Sequence, residues 1–161
     1  MATRHVMKAH YPAPAAVVLK MMSDRAFHTR KLEALGLTQY EVLDHALDGQ
    51  AFRIRIERKV PVQMPGMKKA AGETSVVNEE RWDLSTRRGE VVVEPAGMPV
   101  EMKAALSIAE DGDGSVITFD WVINAKIPVV GGTLEKFIVS DMESRAAEET
   151  RAAVSLLDAY R

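Results

Sequence analysis

Hydrophobic residues along this chain follow two periods, two and then about 3.6, and the change between them divides the sequence near residue 130. Thr3 to Tyr11 mixes apolar and charged residues and reads as a first strand, ended by Pro12-Ala13-Pro14. Pro14 suits the first turn of a helix, where its missing N–H costs nothing. The apolar positions Ala15, Val17, Val18, Leu19, Met21 and Met22 then predict a short helix. Ser23-Asp24 supplies a break and a new N-cap, and Phe27, Leu32 and Leu35 mark a second helix that Gly36 closes.

Six strands are predicted next. Tyr40 to Leu47 leads into the hairpin signal Asp48-Gly49, after which Phe52, Ile54 and Ile56 alternate with Arg53, Arg55 and Glu57. Pro61 to Gly72 reads as a loop. Thr74 to Leu84 is a strand, Arg87-Arg88-Gly89 a turn, and Glu90 to Glu94 a short strand. Met102, Ala104, Leu106 and Ile108 alternate with polar neighbours, and Asp111-Gly112-Asp113-Gly114 forms a hairpin loop. The following strand puts Ile117, Phe119, Trp121, Ile123 and Ile127 on one face. Beyond Gly131-Gly132 the period lengthens: Thr133 is the expected cap of a helix with Leu134, Phe137, Ile138, Met142, Ala146, Ala153, Leu157 and Tyr160 on one stripe. Unbroken to Tyr160, it spans about 27 residues, roughly 40 Å. Successive antiparallel strands with helices kept to one face make an α+β fold, and a helix this long needs a curved sheet to cover its stripe. With no repeat and no linker in view, residues 1–161 are expected to form a single domain.

This order resembles the START-like superfamily, the group of Bet v 1, polyketide cyclases and SRPBCC proteins. The resemblance rests on Tyr11-Pro12-Ala13-Pro14 with Val17 and Ser23-Asp24, on Trp82-Asp83-Leu84, and on Ile127-Pro128-Val129-Val130-Gly131-Gly132 with Leu134-Glu135-Lys136. Within that group the chain is most similar to the uncharacterised family DUF2505. The resemblance implies a helix-grip fold: a curved seven-stranded antiparallel sheet around a long C-terminal helix, with two short helices after strand one. It also implies a cavity between sheet and helix, in a superfamily whose members bind lipids, sterols, polyketides or hormones and in some cases catalyse cyclisation. No catalytic residue comes with it, because the superfamily has no single signature.

The candidate ligand-binding residues follow from the inward positions. They are Phe52, Ile54, Ile56, Trp82, Met102, Phe119, Trp121, Phe137, Ile138 and Met142, with Asn78 and Glu80 as polar anchors by strict alternation from Val76 to Trp82. The bland alternative for the apolar set is a plain core, and a bulge would turn Glu80 to solvent. Arg145 and Glu149 read as a flanking i,i+4 pair. Arg53, Arg55, Arg58 and Lys59 read as a solvated outer face. In the Pro61–Gly72 loop, Met64, Met67, Lys68 and Lys69 would suit a lid or a transient membrane contact. Gly131-Gly132 lacks the lysine of a phosphate loop and is expected to give mobility to a pocket lip.

Composition narrows the chemistry. A net charge of −2 gives no reason to expect nucleic acid, and no run of apolar residues is long enough for a membrane span. There is no cysteine, and His5, His10, His28 and His45 show no helical metal-site spacing, so neither metal nor cofactor is expected. A polar N-terminus without a signal-peptide core makes the cytoplasm the default compartment. The expected partner is a small hydrophobic molecule, bound by a carrier, sensor or chaperone; no protein partner is indicated. A cyclase or dehydratase on the same cavity and a ligand-free interaction module stand as alternatives.

Overall fold

The computed structural model describes residues 2–61 and 72–161. Its elements are β1 (Thr3–Tyr11), α1 (Ala15–Met22), α2 (Arg25–Ala34), β2 (Tyr40–Asp48), β3 (Ala51–Pro61), β4 (Glu73–Asp83), β5 (Arg88–Pro95), β6 (Val100–Asp111), β7 (Gly114–Ala125) and α3 (Gly131–Ser155), closed by a 3₁₀ turn at Leu157–Tyr160. The strands form one antiparallel sheet in the order β1-β7-β6-β5-β4-β3-β2. The first strand therefore pairs with the last, and hairpins make every other join. This is the expected helix-grip architecture. The expected lid residues Met64, Met67, Lys68 and Lys69 lie outside the described residues.

The register fixes which side chains face α3. Across β1 and β7, Thr3 opposes Ile123, His5 opposes Trp121, Met7 opposes Phe119 and Ala9 opposes Ile117. Across β3 and β4, Phe52 opposes Trp82, Ile54 opposes Glu80, Ile56 opposes Asn78 and Arg58 opposes Val76. Because side chains alternate, all of these lie on the concave face. Arg58 is thus a correction: it was expected on the solvated outer face with Arg53 and Arg55, but it sits an even number of positions from Phe52. On β2 the register slips between Val42 and Asp44, so His45 pairs with Ile54 and meets the Phe52 ring edge-on, while Asp44 turns outward to Arg53.

Several boundaries differ from the sequence reading for local reasons. The β4–β5 turn falls at Leu84–Arg87, with Arg87 at φ 58°, and strand pairing resumes at Arg88 rather than after Gly89. Gly89 belongs to β5 opposite Trp82, where a Cβ would lie 2.2 Å from the Arg81 carbonyl oxygen and 2.9 Å from the indole. The α2 cap is as expected: Asp24 accepts from the Ala26 N–H, and Gly36 at φ 78° lets the Leu37 N–H reach the Leu32 carbonyl. The long helix starts at Gly131, two residues before the expected Thr133 cap. Gly131 is buried, and a Cβ there would stand 2.6 Å from the Ala125 carbonyl oxygen. Close approach is what this glycine provides. At its other end α3 stops at Ser155, and the tighter 3₁₀ turn tucks Leu157 and Tyr160 into the core beside α1.

Two packed clusters result. One gathers α1, α2, the 3₁₀ turn and the inner faces of β3, β4 and β7, with Phe27, Met21, Phe52, Ile54, Ile117 and Leu157 almost fully buried. The other joins Val100, Ile123, Ala125 and Leu134 at the start of α3. Met102 and Met142 touch both.

Candidate functional site

Between the two clusters lies a cavity of about 350 Å³. The apolar part of its wall comes from Met7 and Ala9 of β1, Val76 of β4, Val91 and Val93 of β5, Met102 of β6, Phe119 and Trp121 of β7, and Phe137, Ile138, Met142 and Ala146 of α3. The helix residues are instructive. Only Gly131, Leu134, Glu135 and Ala153 of α3 are buried, whereas Phe137, Ile138, Met142 and Ala146 in its middle are half-buried. Their apolar surface faces space where a packed core would supply partners.

Of the twelve sequence candidates, eight line this cavity: Asn78, Glu80, Met102, Phe119, Trp121, Phe137, Ile138 and Met142. Phe52, Ile54, Ile56 and Trp82 share the concave face but not the cavity. Here α1 and α2 close over the sheet: His28 of α2 stacks on Phe52 with centroids 5.6 Å apart, and Phe27 meets His28 edge-on. Those four side chains are core.

The polar lining has two groups. Deep in the site, the Trp82 indole N–H donates to Glu80 Oε2 at 2.8 Å, and His28 Nε2 lies 3.8 Å from the same oxygen. Nε2 of His28 is 2.7 Å from the Met22 carbonyl, which requires a proton on that nitrogen. Burial pushes the His28 pKa down, so the ring is neutral at neutral pH. Tyr11 also lines the cavity; burial, with Glu80 and then Glu149 adding to it, pushes its pKa up, so its phenol remains protonated. Tyr11 and Glu80 line this one cavity although β1 and β4 are not neighbours in the sheet.

The second group centres on Arg58, whose Nε donates to Asn78 Oδ1 at 3.4 Å. Burial lowers the Arg58 pKa, with Glu149 opposing and Arg145 adding to the effect. Arg145 and Glu149 do not form the expected pair: Arg145 bridges to Asp141 at 3.3 Å, and all three line the cavity from α3. Lys31 of α2 also lines the cavity, with its ammonium 5.6 Å from the Phe27 centroid. Sequence reasoning missed Arg58 and Tyr11 as lining residues, although both continue inward alternations, Arg58 from Phe52 and Tyr11 from Met7 and Ala9. Among the described residues, no three His, Asp and Glu side chains gather as a metal site would require.

A curved sheet closed on a long helix, with a half-open cavity between them walled by both apolar and polar side chains, defines a helix-grip protein of the START-like type. The model of one family, proteins of unknown function DUF2505, matches residues 6–157, and the chain belongs to that family. No curated protein matches it in sequence. Solved structures similar to it include Ara h 8.0201, with 10% identity, 99% of each chain covered and a TM-score of 0.67. The ZhuI aromatase/cyclase from Streptomyces is 13% identical over 98% of this chain and 93% of its own, with a TM-score of 0.60. A START superfamily protein from Mycobacterium smegmatis is 13% identical, with 99% of each chain covered and a TM-score of 0.59. At these identities the likeness establishes the fold.

Proposed function

We propose that the chain, acting as one domain over residues 1–161, binds a small hydrophobic molecule such as a lipid, polyketide or isoprenoid in this cavity, as a carrier, sensor or chaperone in the cytoplasm. The observation that carries the reading is the row of half-buried apolar side chains in the middle of α3, facing about 350 Å³ of unfilled space. That volume is within the range of small-molecule sites, roughly 300–1,000 Å³. The eight cavity-lining candidates would contact the ligand, with Asn78 and Glu80 orienting its polar part. An interaction module without a ligand needs a filled interior, so the cavity counts against it.

Uptake of the neutral fluorophore N-phenylnaphthylamine tests the reading. Wild type should take it up with a rise in emission, and Ala146→Trp, which fills the space from α3, should not. Native mass spectrometry of protein from its own host should show a bound molecule. No uptake and no adduct would overturn the proposal.

A cyclase or dehydratase is the second reading, favoured by the Tyr11 hydroxyl and the Glu80 carboxylate lining one apolar cavity. An enzyme needs an acid or base placed against a second polar group, and these two supply that pair. The bound molecule would then be released changed, by loss of water or ring closure, and Glu80→Gln would release it intact.

A further inference from the structure

The cavity holds a cation that the protein barely neutralises. Arg58, half-buried, occupies an inward position of β3 opposite Val76 and lines the cavity. A guanidinium carries five N–H donors, and the single side-chain contact found for it is the long one to Asn78 Oδ1. Among the described residues, no carboxylate lies within 4.0 Å of it. Removing such a charge from water is costly unless an anion or several hydrogen bonds replace the water.

The other charged groups around the cavity do not supply that anion. Glu80 is held by the Trp82 indole, and its position on β4 is four residues from Val76, roughly 13 Å along the strand. Asp141 is bridged to Arg145. Glu149, the acid of α3 that Arg58 feels most, is an exposed residue at the rim. Lys8, Lys31 and Arg145 add positive charge, so four cations face three acids around the lining.

We propose that the ligand is an apolar acid whose carboxylate is held by the Arg58 guanidinium beside Asn78, with its apolar body lying against Phe119, Met102 and Met142. A planar guanidinium matches a carboxylate with two parallel N–H···O bonds, and desolvation inside the cavity strengthens both. Asn78 keeps the guanidinium in place from the neighbouring strand. The inference rests on the cavity-binding reading above and adds the chemical class of the ligand to it.

Decanoate and decanol, equal in carbon number, separate the two ideas. Trp121 lines the cavity, so a shift in tryptophan emission reports occupancy. At neutral pH wild type should bind decanoate at least about tenfold more tightly than decanol, the scale of one charge-assisted contact. Arg58→Met should erase that preference, bringing decanoate affinity down to that for decanol; Arg58→Lys should keep part of it. Equal affinity of wild type for acid and alcohol, an acid preference surviving in Arg58→Met, or binding of the neutral fluorophore but neither decyl probe overturns the inference and leaves the cavity reading standing. Loss of all three probes in wild type removes both. Should Arg58→Met fail to fold, the wild-type ratio and Arg58→Lys decide.

Discussion

Glu135 should be worth more to stability than any other acid in the chain, because it fastens the start of α3 to two strands. Its side chain is 2% exposed, and it accepts from the Ala125 N–H at 2.9 Å and from the Thr3 hydroxyl at 2.6 Å. Glu135→Ala would leave the buried Ala125 N–H without a partner, at roughly 1–3 kcal/mol, and would also lose the charge-assisted bond from Thr3. The expected loss is about 3 kcal/mol, which in a domain of this size lowers Tm by roughly 6–12 °C. Glu135→Gln keeps a neutral acceptor for the N–H and should cost about 1 kcal/mol. The pH dependence separates charge from packing. The Thr3 hydroxyl first, then the Ala125 N–H, hold the Glu135 carboxyl below its ordinary value of 4.5. A depressed folded-state pKa means that the contribution is fully present above the unfolded value and is lost as pH falls through the folded one. The stability difference between wild type and Glu135→Gln, read from urea unfolding at pH 7 and at successive steps below pH 4.5, should therefore shrink on acidification. A Glu135→Ala midpoint unchanged within about 0.5 kcal/mol, or a difference flat with pH, would refute the argument.

Gly131→Ala should destabilise even though alanine favours helices, since its Cβ would lie 2.6 Å from the Ala125 carbonyl oxygen; a gain in Tm would contradict the close approach. Phe52→Ala and Phe119→Ala should differ although both lie on the concave face. The first removes a ring 2% exposed and stacked on His28, at about 3–5 kcal/mol, while the second removes one facing the cavity and should cost nearer 1 kcal/mol; equal losses in urea unfolding would mean that Phe119 is packed. Tyr160 donates to Asp24 at the start of α2, and burial together with that bond pushes its pKa up to about 12. Tyr160→Phe should cost about 1 kcal/mol by thermal unfolding, and no change would show that the bond to Asp24 is matched by water in the unfolded chain.

Most of the fold was legible because period two and period 3.6 are strong signals over the long elements, and because the caps are chemically explicit. Asp24 and Gly36 are where the sequence reading puts them. What was not legible depends on neighbours distant in sequence. Gly131 starts a helix early because Ala125 lies against it, and α3 ends early because Leu157 and Tyr160 find α1; nothing adjacent to either site says so. The site divides the same way. Alternation puts Asn78 and Glu80 inward, and applied to β3 with equal strictness it also gives Arg58, which clustering with Arg53 and Arg55 obscured. Alternation cannot separate Phe119, which faces the cavity, from Phe52, which is core, because that depends on where α1 and α2 cover the sheet.

The cavity follows from how α3 is anchored. At its start, Gly131 rests on the Ala125 carbonyl and Glu135 takes the N–H of the same residue, so both backbone polar groups of one residue at the end of β7 face the start of the helix. Just beyond its end, Leu157 is buried and Tyr160 is bonded to Asp24. The 25-residue helix is about 37 Å long, and these contacts hold it at both ends. Between them the curved sheet and the helix leave the cavity, and the apolar side chains that face it from α3 are phenylalanine, isoleucine, methionine and alanine. Methionine can rotate to fit a guest, which a β-branched residue in the same place could not do as readily. Met102 and Met142, shared by both clusters, are therefore the side chains best placed to adjust when the cavity fills, while the anchors at either end of α3 stay fixed.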